Sequence, residues 1–496
     1  MSRLQSLSSP DKKGQRRRPS QPRLQHKLSQ SDYPSVNPGR SPEFLTLPEK
    51  PFSIRPPKVH LPKIPTLLPA RRWKLSNGLP VIAMPGVEAP VLRVEMIWDA
   101  GRPFEHKKLQ AGATADMLVE GTRQRSAGKL EAYFEQFGTA IAQPDLMDTA
   151  NLSLSTIIRH ASEVLPVMAE IIAEPAFDDA SFRRFMKRRK QRLREGMSDN
   201  DTLAFRLITE AVFGPNHPYG YNGYKENYEE LTVEDIRSFH KSHFHAGNAT
   251  LYVAGHITSK VEEILEQSFG QLPTGKRAKA PSLPPQPAQP QILQVLRPRA
   301  QQTMIRRGRR GIHIGSEDYG GLVVLETIFG GYFSSRLMKN IREEKGYTYG
   351  IDSDLDTYRY DGSFGVSADV ANENLAAVRQ EIDIEIDKLL QQPVPTAELD
   401  MVRAYLAGSI SMELDGPFGH GARHRSALVK AYDPEPLLRK LNEAVRGISP
   451  AEIQDLAQKY LSKGDDFEVI LGGADLVEGA REISTLNRPL KLPTEP

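Results

Sequence analysis

The chain has no cysteine among its 496 residues, which excludes disulfides, thiolate metal sites and cysteine nucleophiles. That absence fits any compartment, oxidising ones included. No run approaches the roughly eighteen apolar residues of a membrane span, so no membrane-spanning segment is expected. Neither HExxH nor HxxEH occurs, so the helical pair of histidines and a glutamate with which many hydrolases hold zinc is missing. The basic start lacks an apolar core of seven or more residues, and so lacks the form of a secretory signal. The cytoplasm is therefore favoured, and a true start further downstream would reopen the question towards the periplasm.

What is present is ordinary for globular protein: 39% hydrophobic and 26% charged residues. The length calls for two or more cores. The net charge of +3 is uneven: residues 1–30 hold eight Lys/Arg against one acid, which leaves −4 for the remainder. The folded part is not basic. Arg183–Arg194 carries eight Lys/Arg in twelve residues, which must wrap around a helix and reads as a solvated face. Without interleaved aromatics neither it nor Arg306–Arg310 resembles a nucleic-acid surface, so no nucleic-acid partner is expected.

Residues 1–69 are rich in Ser, Gln, Arg and Pro, with ten prolines between 31 and 70, and are expected to form a disordered tail. Trp73–Met84 reads as strand, Asn-Gly turn, strand, and Val91–Trp98 as another strand. Helical patterns follow at 108–120, 128–138 and 161–173, with a strand near Thr149–Leu154. One long helix is expected over 178–212, then a helix at 233–242 and a strand at Ala249–Ala254. Residues 276–291 lack periodicity and form a proline-rich linker. The alternation then restarts, with strands at 292–297, 302–307, 349–356 and 361–369. Helices are expected at 317–329, 334–344, 372–390 and 396–414, and a last strand near Phe467–Leu471. These patterns predict two α+β domains in tandem, at 70–275 and 292–490.

The most informative segment is Gly330-Gly331-Tyr332-Phe333-Ser334-Ser335-Arg336-Leu337, running on through Arg342 to Gly346-Tyr347-Thr348-Tyr349. It resembles the substrate-binding signature of the insulinase/pitrilysin (M16) zinc-peptidase family. Leu75–Leu79, Gly214–Gly220 and Asn248–Gly255 extend the resemblance across about residues 70–480. It implies two similar M16-type α+β domains enclosing a peptide cleft, with Arg342 and Tyr349 bonding the backbone of an extended peptide. The residues alone leave other roles open: Arg342 pairing with Glu343 or Glu344, and Tyr349 as a plain strand aromatic.

In that family the zinc helix runs into a Gly-Thr turn, here Gly121-Thr122. Counting back, the resemblance assigns the first histidine to Gly112, the glutamate base to Ala115 and the second histidine to Asp116. The third ligand falls around Gln191–Leu193, where Arg192 stands, with Glu195 one helical turn too far along. Such a set leaves no catalytic zinc and no base of its own. His240, His243 and His245 read as packing or surface residues. His420 and His424 have an i,i+4 spacing able to bind metal, but no third ligand accompanies them. The resemblance thus implies a non-catalytic subunit that holds no cofactor and completes the active site of an HxxEH-bearing partner, which carries the zinc. The alternative is a scaffold protein resembling the core subunits of the bc1 complex. A third reading is an RNA- or anion-binding protein acting through the basic segments.

Overall fold

The computed structural model describes residues 60–144, 146–283, 289–462 and 464–491. Two six-stranded sheets organise them. The first contains β1 (Arg71–Lys74), β2 (Pro80–Met84), β3 (Val91–Trp98), β4 (Ala140–Ala142), β5 (Ala150–Ile157) and β6 (Ala249–Gly255). Their order is β1-β2-β6-β3-β5-β4. The second contains β7 (Ile292–Leu296), β8 (Gln302–Arg310), β9 (Thr348–Thr357), β10 (Gly362–Ala371), β11 (Phe467–Gly472) and β12 (Arg481–Glu482), in the order β12-β7-β11-β8-β10-β9.

The two sheets share a topology. β2 lies parallel to β6 as β7 lies parallel to β11, and the other inner pairs are antiparallel in both. They differ at one rim: β1 forms a hairpin with β2, whereas β12 arrives from the C-terminal end and runs parallel to β7. The other rim is β4 in one sheet and β9 in the other.

Alternation explains the packing. Leu92, Val94, Met96 and Trp98 of β3 point into the first core with Leu251 and Val253 of β6. The opposite face of this sheet, with Ile97, Tyr252 and Ala254, meets Val429 of the helix Gly416–Lys430 from the second half. Conversely, Leu203, Leu207 and Ala211 of the helix Asn200–Phe213 from the first half cover Leu293, Phe467, Val469 and Leu471 of the second sheet. Each half thus lends one helix to the other. That reciprocity is why β6 and β11 are apolar on both faces and buried throughout; burial of each such Val or Leu side chain contributes about 1.5–3 kcal/mol.

Several expectations need correction. The stretch 178–212 is not one helix: Asp179–Ser198 ends and Asn200–Phe213 begins at Asp199. Asp199 is extended, and its carboxylate accepts from Thr202 N–H at 2.9 Å, so its capping strength defeats continuation. Gly416–Lys430, Pro434–Gly447 and Pro450–Tyr460 were not anticipated; each carries proline in its first turn, where the missing N–H costs nothing. Nor were Lys225–Glu230 and Ser259–Phe269. A disordered tail reaching to residue 69 is also corrected. Over 60–69 the chain is a strap on the second half, where Ile64 is only 4% exposed. Arg446 donates to Pro62 O at 3.0 Å, Leu68 N–H donates to His420 Nδ1 at 3.2 Å, and Leu68 O lies 2.8 Å from His424 Nε2. The histidine pair with metal-binding spacing therefore grips backbone. Expectations for residues 1–59 lie outside the described residues. Among those described, no helix is long and apolar enough to cross a membrane.

Candidate functional site

The helix Gln110–Met117 begins at Leu109, whose left-handed backbone (φ 74°) offers no side-chain cap. Glu105 caps it from the preceding loop, accepting Ala111 N–H at 2.9 Å and the Tyr221 hydroxyl. A carboxylate suits a helix N-terminus. Burial nevertheless pushes the Glu105 carboxyl up to about 7, and the same burial raises the Tyr221 phenol.

Gly112, Ala115 and Asp116 all line a hollow on one side of this helix. Facing them from the helix Asp179–Ser198 is Arg189, whose Nη2 donates to the Asp116 carboxylate. A Cβ on Gly112 would lie 4.0 Å from that same nitrogen. Arg189, three residues before the position reached by counting, is thus the cation at Asp116. Arg192 lines an adjoining hollow with Leu193 and Thr202. Glu195 accepts from Gln191 Nε2 at 2.8 Å on the exposed side. A hydrogen, a methyl and one guanidinium-bound carboxylate do not fit a catalytic zinc, which takes three protein ligands and leaves a place for water. Among the described residues no cluster of three His, Asp or Glu side chains is placed to hold a metal.

The three histidines near 240 serve packing. His240 Nε2 meets Ile172 O at 2.9 Å, and burial pushes its imidazole down to about 4. His243 stacks on Phe239 at 4.2 Å, and His245 meets Ser242 O at 3.2 Å.

The glycine-rich segment forms the second place of interest. The helix Tyr319–Glu326 widens into a π-helical turn, Thr327–Gly331, and Met338–Glu344 makes another. A side chain at Gly330 would meet the Ser353 backbone, and one at Gly331 would strike the Glu326 carboxylate. Burial, with Asp354 beside it, pushes that carboxyl up to about 8. The Arg342 guanidinium lies 4.7 Å over the Phe333 ring. Among the described residues neither Glu343 nor Glu344 pairs with it. Tyr349, second residue of β9, is 91% exposed on the free rim of the second sheet. Among the described residues neither the Arg342 nor the Tyr349 side chain joins a hydrogen bond or ion pair. Both stand apart from the walls of the first-half hollow.

Between the halves, the β9–β10 turn supplies Arg359, which donates to Asp99 Oδ1 at 2.7 Å through its side chain and to Asp148 Oδ2 at 3.1 Å through its backbone. Tyr219, from the Gly214–Gly220 motif, donates to Asp148 and packs 4.6 Å from Tyr358. That motif is an anchor between halves.

Comparison with known proteins agrees with this architecture. The peptidase M16 inactive domain pattern matches residues 230–406, which include Arg342 and Tyr349. The chain is an M16 peptidase-family homologue. An uncharacterized zinc protease of Bacillus subtilis is 21% identical over 342 residues, covering 67% of this homologue and 83% of the relative. One from Rickettsia bellii is 24% identical over 422 residues, covering 83% and 94%. Among solved structures, a peptidase M16 inactive domain from Pseudomonas fluorescens aligns with TM-score 0.74 at 22% identity, covering 82% of this M16 homologue and 99% of that chain. A protease from Helicobacter pylori aligns with TM-score 0.73 at 18% identity, covering 82% and 100%. These likenesses establish the fold.

Proposed function

We propose that this M16 homologue is a non-catalytic subunit that binds an extended peptide and completes the active site of a zinc-bearing partner. The observation that carries the reading is the contrast between its two sites. The positions assigned to the two histidine ligands hold Gly112 and an Asp116 engaged by Arg189, and the position of the glutamate base holds Ala115. Arg342 and Tyr349 keep their polar groups uncommitted on an accessible segment. A guanidinium offers five N–H donors and never deprotonates, and a phenol donates to an oxygen that gains charge in a transition state. The stack on Phe333 restrains Arg342 without using its donors, and the free rim of β9 offers backbone groups to an extended chain. Zinc belongs, in this reading, to an HxxEH-bearing partner.

The test is reconstitution with such a partner. Arg342→Ala or Tyr349→Phe is expected to lower turnover by about 10²–10³, the usual cost of losing one transition-state donor, while complex formation is unchanged. Unchanged turnover in both variants moves the chain to the scaffold class of the bc1 core subunits.

A further inference from the structure

The hollow beside the helix Gln110–Met117 encloses about 160 Å³, and a second of about 180 Å³ adjoins it through shared walls at Arg189, Arg206 and Tyr228. Four guanidiniums, of Arg102, Arg189, Arg192 and Arg206, line the pair against one carboxylate, Asp116. Where active zinc peptidases gather electron-pair donors for a dication, this chain gathers guanidiniums, which repel a dication and attract an anion.

Two donors lining the hollow are buried and unbonded among the described residues, Arg206 Nε and the neutral amide nitrogen of Gln143. A buried donor without a partner is uncommon, because its desolvation is uncompensated. Arg206 has little freedom to escape, since Nη2 donates to Gly223 O at 2.9 Å and the guanidinium lies 5.3 Å over the Tyr224 ring. Gln143 directly follows β4, the free rim of the first sheet, so a chain laid along that rim passes the mouth of the hollow. The nearby acids Glu105 and Glu210 are engaged by Tyr221 and by Asn222 (2.9 Å), residues that themselves form the wall.

We propose that this hollow is a carboxylate-binding site, taking an acidic side chain or the C-terminal carboxylate of an extended peptide laid along β4. Paired guanidinium N–H groups match carboxylate geometry, and a partly enclosed site keeps that attraction from full screening. The inference rests on the peptide-binding part of the reading above, and its readout, binding by the chain alone, is separate from turnover with a partner subunit.

Isothermal titration of the full chain tests it, with four probes: an N-acetylated, C-amidated alanine hexapeptide bearing one glutamate, its glutamine analogue, an N-acetylated alanine hexapeptide with a free C-terminus, and inorganic phosphate. At least one carboxylate peptide is expected to bind about tenfold or more tighter than the glutamine analogue, the factor one charge-assisted hydrogen bond supplies. Which of the two binds assigns the source, side chain or terminus. Arg206→Gln and Arg192→Ala should each weaken that binding about five- to tenfold, and added salt should weaken it further. Arg192 is exposed, so its variant folds even where Arg206→Gln does not. The proposal is overturned by equal binding of the glutamate, glutamine and free-terminus peptides, by wild-type affinity in Arg192→Ala, or by binding of phosphate alone.

Discussion

Set side by side, the two halves share a strand order and a reciprocal helix exchange, yet their crossings are built from different materials. The helix Gly416–Lys430 reaches the first sheet with a buried ion pair: Arg425 Nε and Nη2 meet the Glu95 carboxylate at 2.5 and 2.6 Å, and Glu95 is 0% exposed. The helix Asn200–Phe213 reaches the second sheet mostly through aliphatic contact, and its ion pair, Asp201 with Arg306 at 2.6 Å, has an acid 69% exposed. A duplicated frame can therefore keep its geometry while its electrostatics diverge. The same divergence separates the helix Gln110–Met117, with Arg189 on its Asp116, from the Arg342/Tyr349 segment.

The comparison breaks most visibly at Arg425. Arg425→Ala leaves Glu95 buried with Asn151 at 2.7 Å and the half-exposed Arg93 at 3.3 Å as remaining partners. Breaking a buried pair costs 3–5 kcal/mol, and those partners place the loss near about 3 kcal/mol, read from denaturant unfolding.

A pH scan sharpens the comparison further, because each half buries a glutamate whose carboxyl is pushed far above its ordinary range. Glu105 moves from 4.5 to about 7 and Glu326 from 4.5 to about 8. The folded chain thus binds these protons more tightly than the unfolded chain. Stability is expected to fall as pH rises from about 4.5 to 7 for Glu105, and on to 8 for Glu326, by an amount on the order of a few kcal/mol each. Glu105→Gln should remove the first share and leave the second, seen as a flatter stability curve below pH 7. An unchanged slope refutes the assignment to Glu105.

The smallest effect belongs to the exposed pair. Asp201→Ala should cost about 0–1 kcal/mol in the same unfolding experiment, the range for solvated ion pairs. A loss equal to that of Arg425→Ala would show the two crossings to be equivalent after all.

Much of the frame was legible in the chain. Val91–Trp98 and Ala249–Gly255 declare themselves by alternation and by continuous apolar character, and β10 by its regular Phe364, Val366, Ala368, Val370 spacing. Proline concealed the three helices after Asp415, because a residue that breaks a helix inside is welcome at its start. The reciprocal exchange was illegible, since periodicity shows that a face is apolar and not what covers it. At the candidate site, counting along the chain found Arg192, but the face turned towards Asp116 presents Arg189, about one helical turn earlier. The basic run held the signal: a lone Asp116 on one helix calls for a cation on its neighbour. His420 and His424 carried metal spacing, and only the position of Leu68 shows what they hold.

The exchange of helices also sets the order in which a nascent chain can complete itself. The first sheet is finished by residue 255, but its second face stays bare until Gly416–Lys430 has left the ribosome. For the intervening stretch of synthesis Ile97 and Tyr252 face water, and Asn200–Phe213 waits with its apolar side uncovered for β7 and β11. Each half thus keeps one apolar face that only the other can cover, and completing both depends on contacts far apart in sequence.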